Sequence, residues 1–179
     1  MRPGSPLVPL VERRAYLASY PGGWIWGWAT WMACSLLLVS YMIVLRTRIP
    51  GRSALLAAAL TAIGMPVDLL CDLIQIVFLP RAAGSPEIGV FLYLEGLAFT
   101  GGATVANGLY TTGILLMTWC LRGRVSALAR WSGFGTAIAG YAMALAGLLP
   151  SPRLLEAATG PTILLYSLWT VLVARDLRS

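Results

Sequence analysis

The chain has 179 residues, of which 58% are hydrophobic and only 11% are charged. A soluble domain is about half apolar and about a quarter charged, so this composition favours an integral membrane protein. The chain contains no lysine and no histidine. Their absence excludes a Schiff base, a histidine-ligated haem or zinc ion, and a Ser-His-Asp triad. No cofactor, metal site or catalytic residue is expected.

The formal net charge is +6, and every one of the 13 basic residues is arginine. These arginines lie between apolar runs instead of clustering on one soluble face, so the expected partner is the lipid bilayer and not nucleic acid. A basic set made only of arginine is typical of a GC-rich bacterial genome, which favours a bacterial inner membrane protein.

Five apolar runs each contain roughly the 20 residues needed to cross a hydrocarbon core of about 30 Å. The sequence therefore predicts a five-span transmembrane helical bundle that forms a single domain over residues 1–179. Pro80 and Pro150 are expected to end the second and fourth spans. The predicted spans are Trp24–Leu45, Ala54–Leu79, Gly102–Leu121, Ala129–Leu149 and Leu155–Ala174.

Tryptophans open the first span in the stretch W-I-W-G-W-A-T-W. An aromatic belt at the membrane interface is the favoured interpretation. The alternative is a stacking platform for a ligand, because Trp24, Trp28 and Trp31 share one helix face at positions i, i+4 and i+7.

The second span carries a polar stripe made of Asp68, Asp72 and Gln75, also at i, i+4 and i+7. An aspartate at the bilayer centre costs about 2.5–3.5 kcal/mol on an insertion scale. Two carboxylates one turn apart in a low dielectric are not expected to be ionised together. Since no arginine lies in the core of a predicted span, a proton, a cation or water is the expected charge partner.

The stretch before the third span, about 86–100, begins with Ser85, Pro86 and Glu87, which form a good helix start. One helix from this start to Leu121 would be about 54 Å long, which exceeds the bilayer. A break at the pair Gly101–Gly102, with an interfacial or re-entrant helix before it, is therefore predicted. A single long tilted helix is the alternative.

The third span offers hydroxyl and amide groups on one face, at Thr104, Asn107 and Thr111. Counted from the outer boundary of each span, these residues match the heights of Gln75, Asp72 and Asp68 respectively. The sequence thus predicts a ligand- or proton-binding site between antiparallel spans 2 and 3, which consists of these six residues. The alternative is that the same contacts only hold the helices together.

The fourth span has a seam of small residues with a period of 3.5, marked by Gly133, Gly140 and Gly147. Such a seam favours close helix packing, either with another span or with a second copy or subunit of a larger complex. Glu95 and Glu156 are expected to be solvated acids near the outer interface.

Arginine bias predicts the orientation, because cytoplasmic loops carry an excess of basic residues. Arg46, Arg48, Arg52, Arg122, Arg124, Arg130, Arg175 and Arg178 fall on one side of a five-span bundle. Arg2, Arg13, Arg14, Arg81 and Arg153 fall on the other. The N-terminus is therefore predicted to be outside and the C-terminus inside.

Three functions remain open at this point. The favoured one is a binding or transport bundle with a buried acidic site linked to a proton or cation. The second is an accessory or structural subunit in which the aspartates are packing contacts. The third is a membrane enzyme for a lipid or isoprenoid, with Asp68 or Asp72 as general acid.

Overall fold

The structure is a computed structural model that describes residues 4–19, 21–149 and 151–178. Within these residues every regular element is helical, as the predicted all-α class requires. Arg2 and the predicted helix end at Pro150 lie outside the described residues. The α-helices are α1 (Leu10–Ser19), α2 (Gly22–Arg48), α3 (Arg52–Leu73), α4 (Leu79–Ala83), α5 (Ile88–Phe99), α6 (Asn107–Cys120), α7 (Ala127–Leu148) and α8 (Pro152–Asp176).

Two π-helical segments join shorter α-helices into long continuous helices. The first π segment, Ile74–Phe78, joins α3 to α4, and the second, Thr100–Ala106, joins α5 to α6. Four helices are then long and apolar enough to cross a membrane: Gly22–Arg48, Arg52–Ala83, Ile88–Cys120 and Pro152–Asp176. These four helices indicate a membrane-associated protein and cover four of the five predicted spans.

The fifth predicted span corresponds to α7, a helix of 22 residues that is not one of these four. It packs between α6 and α8, while α3 packs between α2 and α6. The bundle therefore has the helix order α2, α3, α6, α7, α8. A crossing of the membrane by α7 stays a prediction.

Pro80 does not end the second long helix, contrary to the sequence prediction. The helix continues through α4 to Ala83, and Pro80 lies in the first turn of α4. The first π segment precedes it directly, so the regular ladder of i to i−4 hydrogen bonds has already changed where the proline N–H is missing. The proline is therefore tolerated within a continuous helix.

The predicted break at Gly101–Gly102 is absent, because Ile88–Cys120 forms one continuous helix of 33 residues. The alternative of a single long helix describes this part of the chain, and an interfacial or re-entrant helix is not confirmed. A Cβ atom on Gly101 would lie 2.6 Å from Cys71 Sγ. The glycine pair thus permits close approach of α3 to the second π segment, which is a packing role and not a hinge.

Helix α1 was not predicted, and it covers one end of the bundle. Its Leu17 is fully buried in a cluster with Trp24, Leu79 and Phe91. Arg13 Nη2 donates to Glu95 Oε2 at 2.5 Å, and the two side chains are only 9% and 14% exposed. The expectation that Glu95 is a solvated surface acid is therefore wrong, because α1 brings an arginine onto it.

Arg14 adds a second polar tie by donating to the Ser85 carbonyl, and both arginines lie over the ring of Phe91. Glu156, at the start of α8, is exposed as predicted. Helix α1 is thus fixed by an apolar contact, an ion pair and a hydrogen bond to the region that follows α3.

Candidate functional site

The interior face of α2 contacts the second long helix, Arg52–Ala83, at two points of its polar stripe. Trp24 Nε1 donates to the Gln75 carbonyl oxygen at 2.8 Å. Ser35 Oγ, three turns further along α2, donates to the Asp68 carboxylate. Trp28 and Trp31 lie between these points on the same helix face, so they are level with the part of α3 that carries Asp72. The tryptophan face of α2 is turned toward the aspartates.

Asp68 is a buried carboxylate with two hydroxyl donors. Its Oδ2 accepts from Ser35 Oγ and from Tyr110 Oη, the latter at 3.3 Å. The side chain is 4% exposed. Because the donors come from α2 and α6, this carboxylate links three helices, and its desolvation is offset by charge-assisted hydrogen bonds.

Asp72 is different, although it lies one turn away on the same face. It is 1% exposed, and neither of its carboxylate oxygens has a hydrogen-bond partner among the described residues. The side-chain carbonyl Oε1 of Gln75, three residues further, also lacks a partner there, as does the indole N–H of Trp28. A buried polar group without a hydrogen-bond partner lowers the stability of the folded protein. Such a group in a native structure therefore requires a structural or functional explanation.

The first π segment begins two residues after Asp72, and Gln75 is its second residue. π-helical turns inside α-helices are frequent at functional sites, because the shifted hydrogen bonding redirects side chains and carbonyls. Here the segment turns one carbonyl, that of Gln75, to Trp24. The unpaired oxygens of Asp72 and Gln75 form the candidate site.

Helices α3 and α6 are antiparallel neighbours, as predicted, but with a different register. A Cβ on Gly102 would lie 3.8 Å from Asp68 Oδ1, and one on Gly64 would lie 3.0 Å from the ring of Tyr110. Asp68 is therefore opposite the region of Gly102 and not opposite Thr111. The prediction was displaced by about two turns, roughly 10 Å, because it placed both ends of the connection wrongly. It ended the second span at residue 79 and began the third at residue 102, whereas the helices end at Ala83 and begin at Ile88.

The predicted partners of the aspartates on the third span face α7 instead. Asn107 Nδ2 donates to the Gly140 carbonyl at 2.7 Å, and Thr104 Oγ1 donates to the Ala144 carbonyl at 3.0 Å. A Cβ on Gly140 would collide with Thr111 Oγ1. The predicted pairs of Asp72 with Asn107, Asp68 with Thr111, and Gln75 with Thr104 are not formed.

The glycine seam of α7 is the surface that receives these side chains. A Cβ on Gly133, Gly140 or Gly147 would collide with Thr118, Thr111 or Thr104 respectively. The matching spacing of seven residues on both helices makes each threonine fill one glycine position, in the manner of small-residue helix packing. The packing role predicted for the seam is thus met within the chain by α6 and the second π segment.

Sequence reasoning missed Ser35 and Tyr110, the two donors to Asp68. Ser35 follows Trp31 by four residues and extends the tryptophan face, which was an available signal for its direction. Nothing local marks Tyr110, because its hydroxyl reaches Asp68 only through the register of α6 against α3. Ser35 and Tyr110 are therefore added to the candidate site with Asp68, Asp72 and Gln75, whereas Thr104, Asn107 and Thr111 contact α7.

Two grooves on the surface of the described bundle are lined by residues other than Asp68 and Asp72. One lies between α2 and α8 beside Cys34, Tyr41 and Tyr166, and the other lies between the start of α8 and Phe99. Among the described residues no group of three or more histidine, cysteine or acidic side chains is placed to hold a metal ion. The unpaired polar groups of the candidate site are the carboxylate of Asp72, the amide oxygen of Gln75 and the indole N–H of Trp28.

Comparisons with protein-family models, with curated proteins and with solved structures found no match for this chain.

Proposed function

We propose that this protein is a binding or transport-type membrane bundle whose buried site takes up a proton or a small cation at Asp72. The observation that carries the proposal is the pair of Asp72 carboxylate oxygens, which are buried without a hydrogen-bond donor in the described chain. A proton on this carboxyl, or a cation beside it, would remove the cost of an isolated buried charge.

The two aspartates have separate roles in this proposal. Asp68 receives hydroxyl donors from Ser35 and Tyr110 and holds α2, α3 and α6 together. Asp72 has no such donors among the described residues, so its charge is balanced by the bound species. A protonated Asp72 carboxyl could donate to the unpaired Gln75 Oε1, and a small cation would find oxygen ligands on both side chains.

The size of the site favours a proton or a bare ion over an organic substrate. Asp72 is 1% exposed, so its carboxyl is not open to a large ligand at the surface. This argues against the enzyme hypothesis, because a lipid or isoprenoid that reacts with Asp72 as general acid would have to reach this carboxyl.

We also propose five membrane crossings in a bacterial inner membrane, with the N-terminus outside and the C-terminus in the cytoplasm. The antiparallel packing of α7 along α6 and α8 supports a fifth crossing, and the eight arginines at one end support the orientation. Reporter fusions at the C-terminus and between α2 and α3 should both report the cytoplasm. A signal from outside at either position would contradict this topology.

Asp72→Asn is the direct test of the proposed function, because asparagine keeps the shape of the side chain but does not titrate. Tryptophan fluorescence of the purified protein in lipid nanodiscs should respond to pH or to Na⁺ and K⁺, since Trp24 is bonded to Gln75. We expect the variant to lose this response and the control Glu156→Gln, which changes an exposed acid, to retain it.

The alternative function is that of an accessory or structural subunit. The hydrogen bonds of Asn107 and Thr104 to α7 favour this alternative, because they give both residues a packing role. In that case the parent protein and Asp72→Asn would show the same dependence on pH and cations. Proteoliposomes loaded with a pH-sensitive dye would then separate binding from transport, because only a transporter moves protons or exchanges them for ions across the bilayer.

A further inference from the structure

Charge is distributed very unequally between the two ends of the helical bundle. One end, here called the arginine end, is formed by the C-terminal ends of α2, α6 and α8 and the N-terminal ends of α3 and α7. Among the described residues it carries eight arginines and one acid, Asp176. The opposite end carries four described arginines and four acids, Glu12, Glu87, Glu95 and Glu156. The positive charge of the protein is therefore concentrated at the arginine end.

Few of these eight arginines are neutralised within the described chain. Arg175 forms an ion pair with Asp176 at 2.9 Å, and it is the only one of the eight that pairs with a described acid. The carboxylate of Asp176 is further engaged by the Ser126 backbone N–H at 2.7 Å. Arg48, Arg52, Arg124 and Arg178 are exposed to the surroundings.

Aromatic side chains accompany the arginines at the same level of the bundle. Arg122 lies over the ring of Trp119 at 4.4 Å from its centroid, and Trp119 is 56% exposed. Trp131, in the second turn of α7, is 65% exposed. Exposed tryptophan next to arginine at the end of apolar helices is the pattern found at the headgroup level of a bilayer.

We propose that the arginine end binds anionic phospholipid headgroups in preference to zwitterionic ones. The phosphate and any further anionic group of such a lipid would supply the negative charge that the chain lacks there, and guanidinium groups bind phosphate through paired hydrogen bonds. This inference does not depend on the site at Asp72. It concerns the positive charge of arginines at one end of the bundle, whereas Asp72 is an acidic residue buried inside it.

The test compares the binding of spin-labelled phosphatidylglycerol and phosphatidylcholine to the full-length protein in the same host membrane. The parent should favour phosphatidylglycerol by about threefold or more at low salt, and the preference should shrink in high salt because screening weakens contacts at the membrane surface. Arg52→Gln with Arg124→Gln should remove most of the preference.

The matched control is Arg81→Gln with Arg153→Gln, which removes two exposed arginines from the opposite end. This control should keep the preference of the parent. Equal lipid association in the parent, an equal loss in both double variants, or no loss in either would overturn the proposal. Loss of the lipid preference on addition of inorganic phosphate at constant ionic strength would also overturn it, because the surface would then bind soluble anions.

Discussion

Asp68 and Asp72 show how far one helical turn can change the environment of a side chain. Both are buried on the same face of α3, yet Asp68 receives two hydroxyl donors and Asp72 receives none from the described residues. The difference arises from their neighbours: Ser35 and Tyr110 reach only the first of the two carboxylates. The two aspartates look equivalent in the sequence but differ in the structure. Asp68 joins helices through hydrogen bonds, whereas the carboxylate of Asp72 has no described partner.

Different effects on the free energy of unfolding are expected when each aspartate is replaced by leucine. Asp68→Leu leaves the hydroxyls of Ser35 and Tyr110 without their acceptor, at a cost of about 1–3 kcal/mol. Asp72→Leu removes a carboxylate that no described donor serves, so the variant should be as stable as the parent or more stable. Unfolding in detergent, followed by circular dichroism, measures both changes.

The helix register predicted from the sequence would give a different expectation, because there Asp72 is the partner of Asn107. In that register, Asp72→Leu would leave the Asn107 amide without a hydrogen-bond partner. The amide of Asn107 is bonded to the Gly140 carbonyl, so it keeps its partner when Asp72 is changed. A loss of stability in Asp72→Leu as large as in Asp68→Leu would show that Asp72 has a structural partner after all.

At the scale of helices, the glycine pair Gly101–Gly102 determines how closely two of the long helices approach. The sequence predicts a break at this pair, because one helix that continues to Leu121 would be longer than the bilayer is thick. In the bundle the missing side chain leaves the space that Cys71 Sγ occupies, and the chain continues through the second π segment. The length of a helix and its neighbours, more than glycine content, decide between hinge and contact.

A double-mutant cycle tests this packing role. Gly101→Ala should destabilise the protein by about 1–3 kcal/mol, because the new Cβ would lie 2.6 Å from Cys71 Sγ. Cys71→Ala removes that sulfur atom, so the double variant should recover most of the loss. The free energy of unfolding in detergent is the quantity to compare.

Gly96→Ala is the control for the cycle, since a Cβ there meets nothing within 4 Å. It should be neutral or slightly stabilising, because alanine favours the helix. If Cys71→Ala failed to relieve the effect of Gly101→Ala, the cost would come from the helix itself and the hinge interpretation would return.

For the whole molecule, α1 ties the beginning of the chain to the middle of the bundle. The Arg13–Glu95 pair joins residues 82 positions apart, and Leu17 lies in the cluster that contains Trp24. Through Trp24, which is bonded to Gln75, this cap is one contact away from the candidate site. The stability of α1 and the environment of Gln75 are therefore coupled by contact.

Glu95→Gln should cost about 3–5 kcal/mol, the range for breaking one partner of a buried ion pair, if Arg13 stays in place. Hydrogen exchange should show where the loss falls: amides of α1 should exchange faster, while those of α7 keep their protection. Glu156→Gln, at an exposed acid of the same end, should change stability by no more than about 0.5 kcal/mol. Unchanged exchange in α1 would mean that apolar packing alone holds the cap.

The all-α class and four long apolar helices followed from the sequence alone, because long apolar runs leave the backbone no other way to satisfy its hydrogen bonds in lipid. The end of the second helix and the start of the third did not follow from it. The polar stripe of α3 and the small-residue seam of α7 also followed, since both depend on the helical period within one segment. Each of these features is local to a stretch of about 20 residues.

The partners of those stripes depended on the tertiary structure. A shift of two turns between α3 and α6 leaves the same faces in contact, so the period of the sequence cannot distinguish the two registers. The start of the long helix at Ile88 and the contacts of Gly64 with Tyr110 and of Gly102 with Asp68 decide it. Helix α1 was beyond prediction for the same reason: its short segment is stabilised by contacts with Glu95 and Phe91, which are more than 70 residues away in the chain.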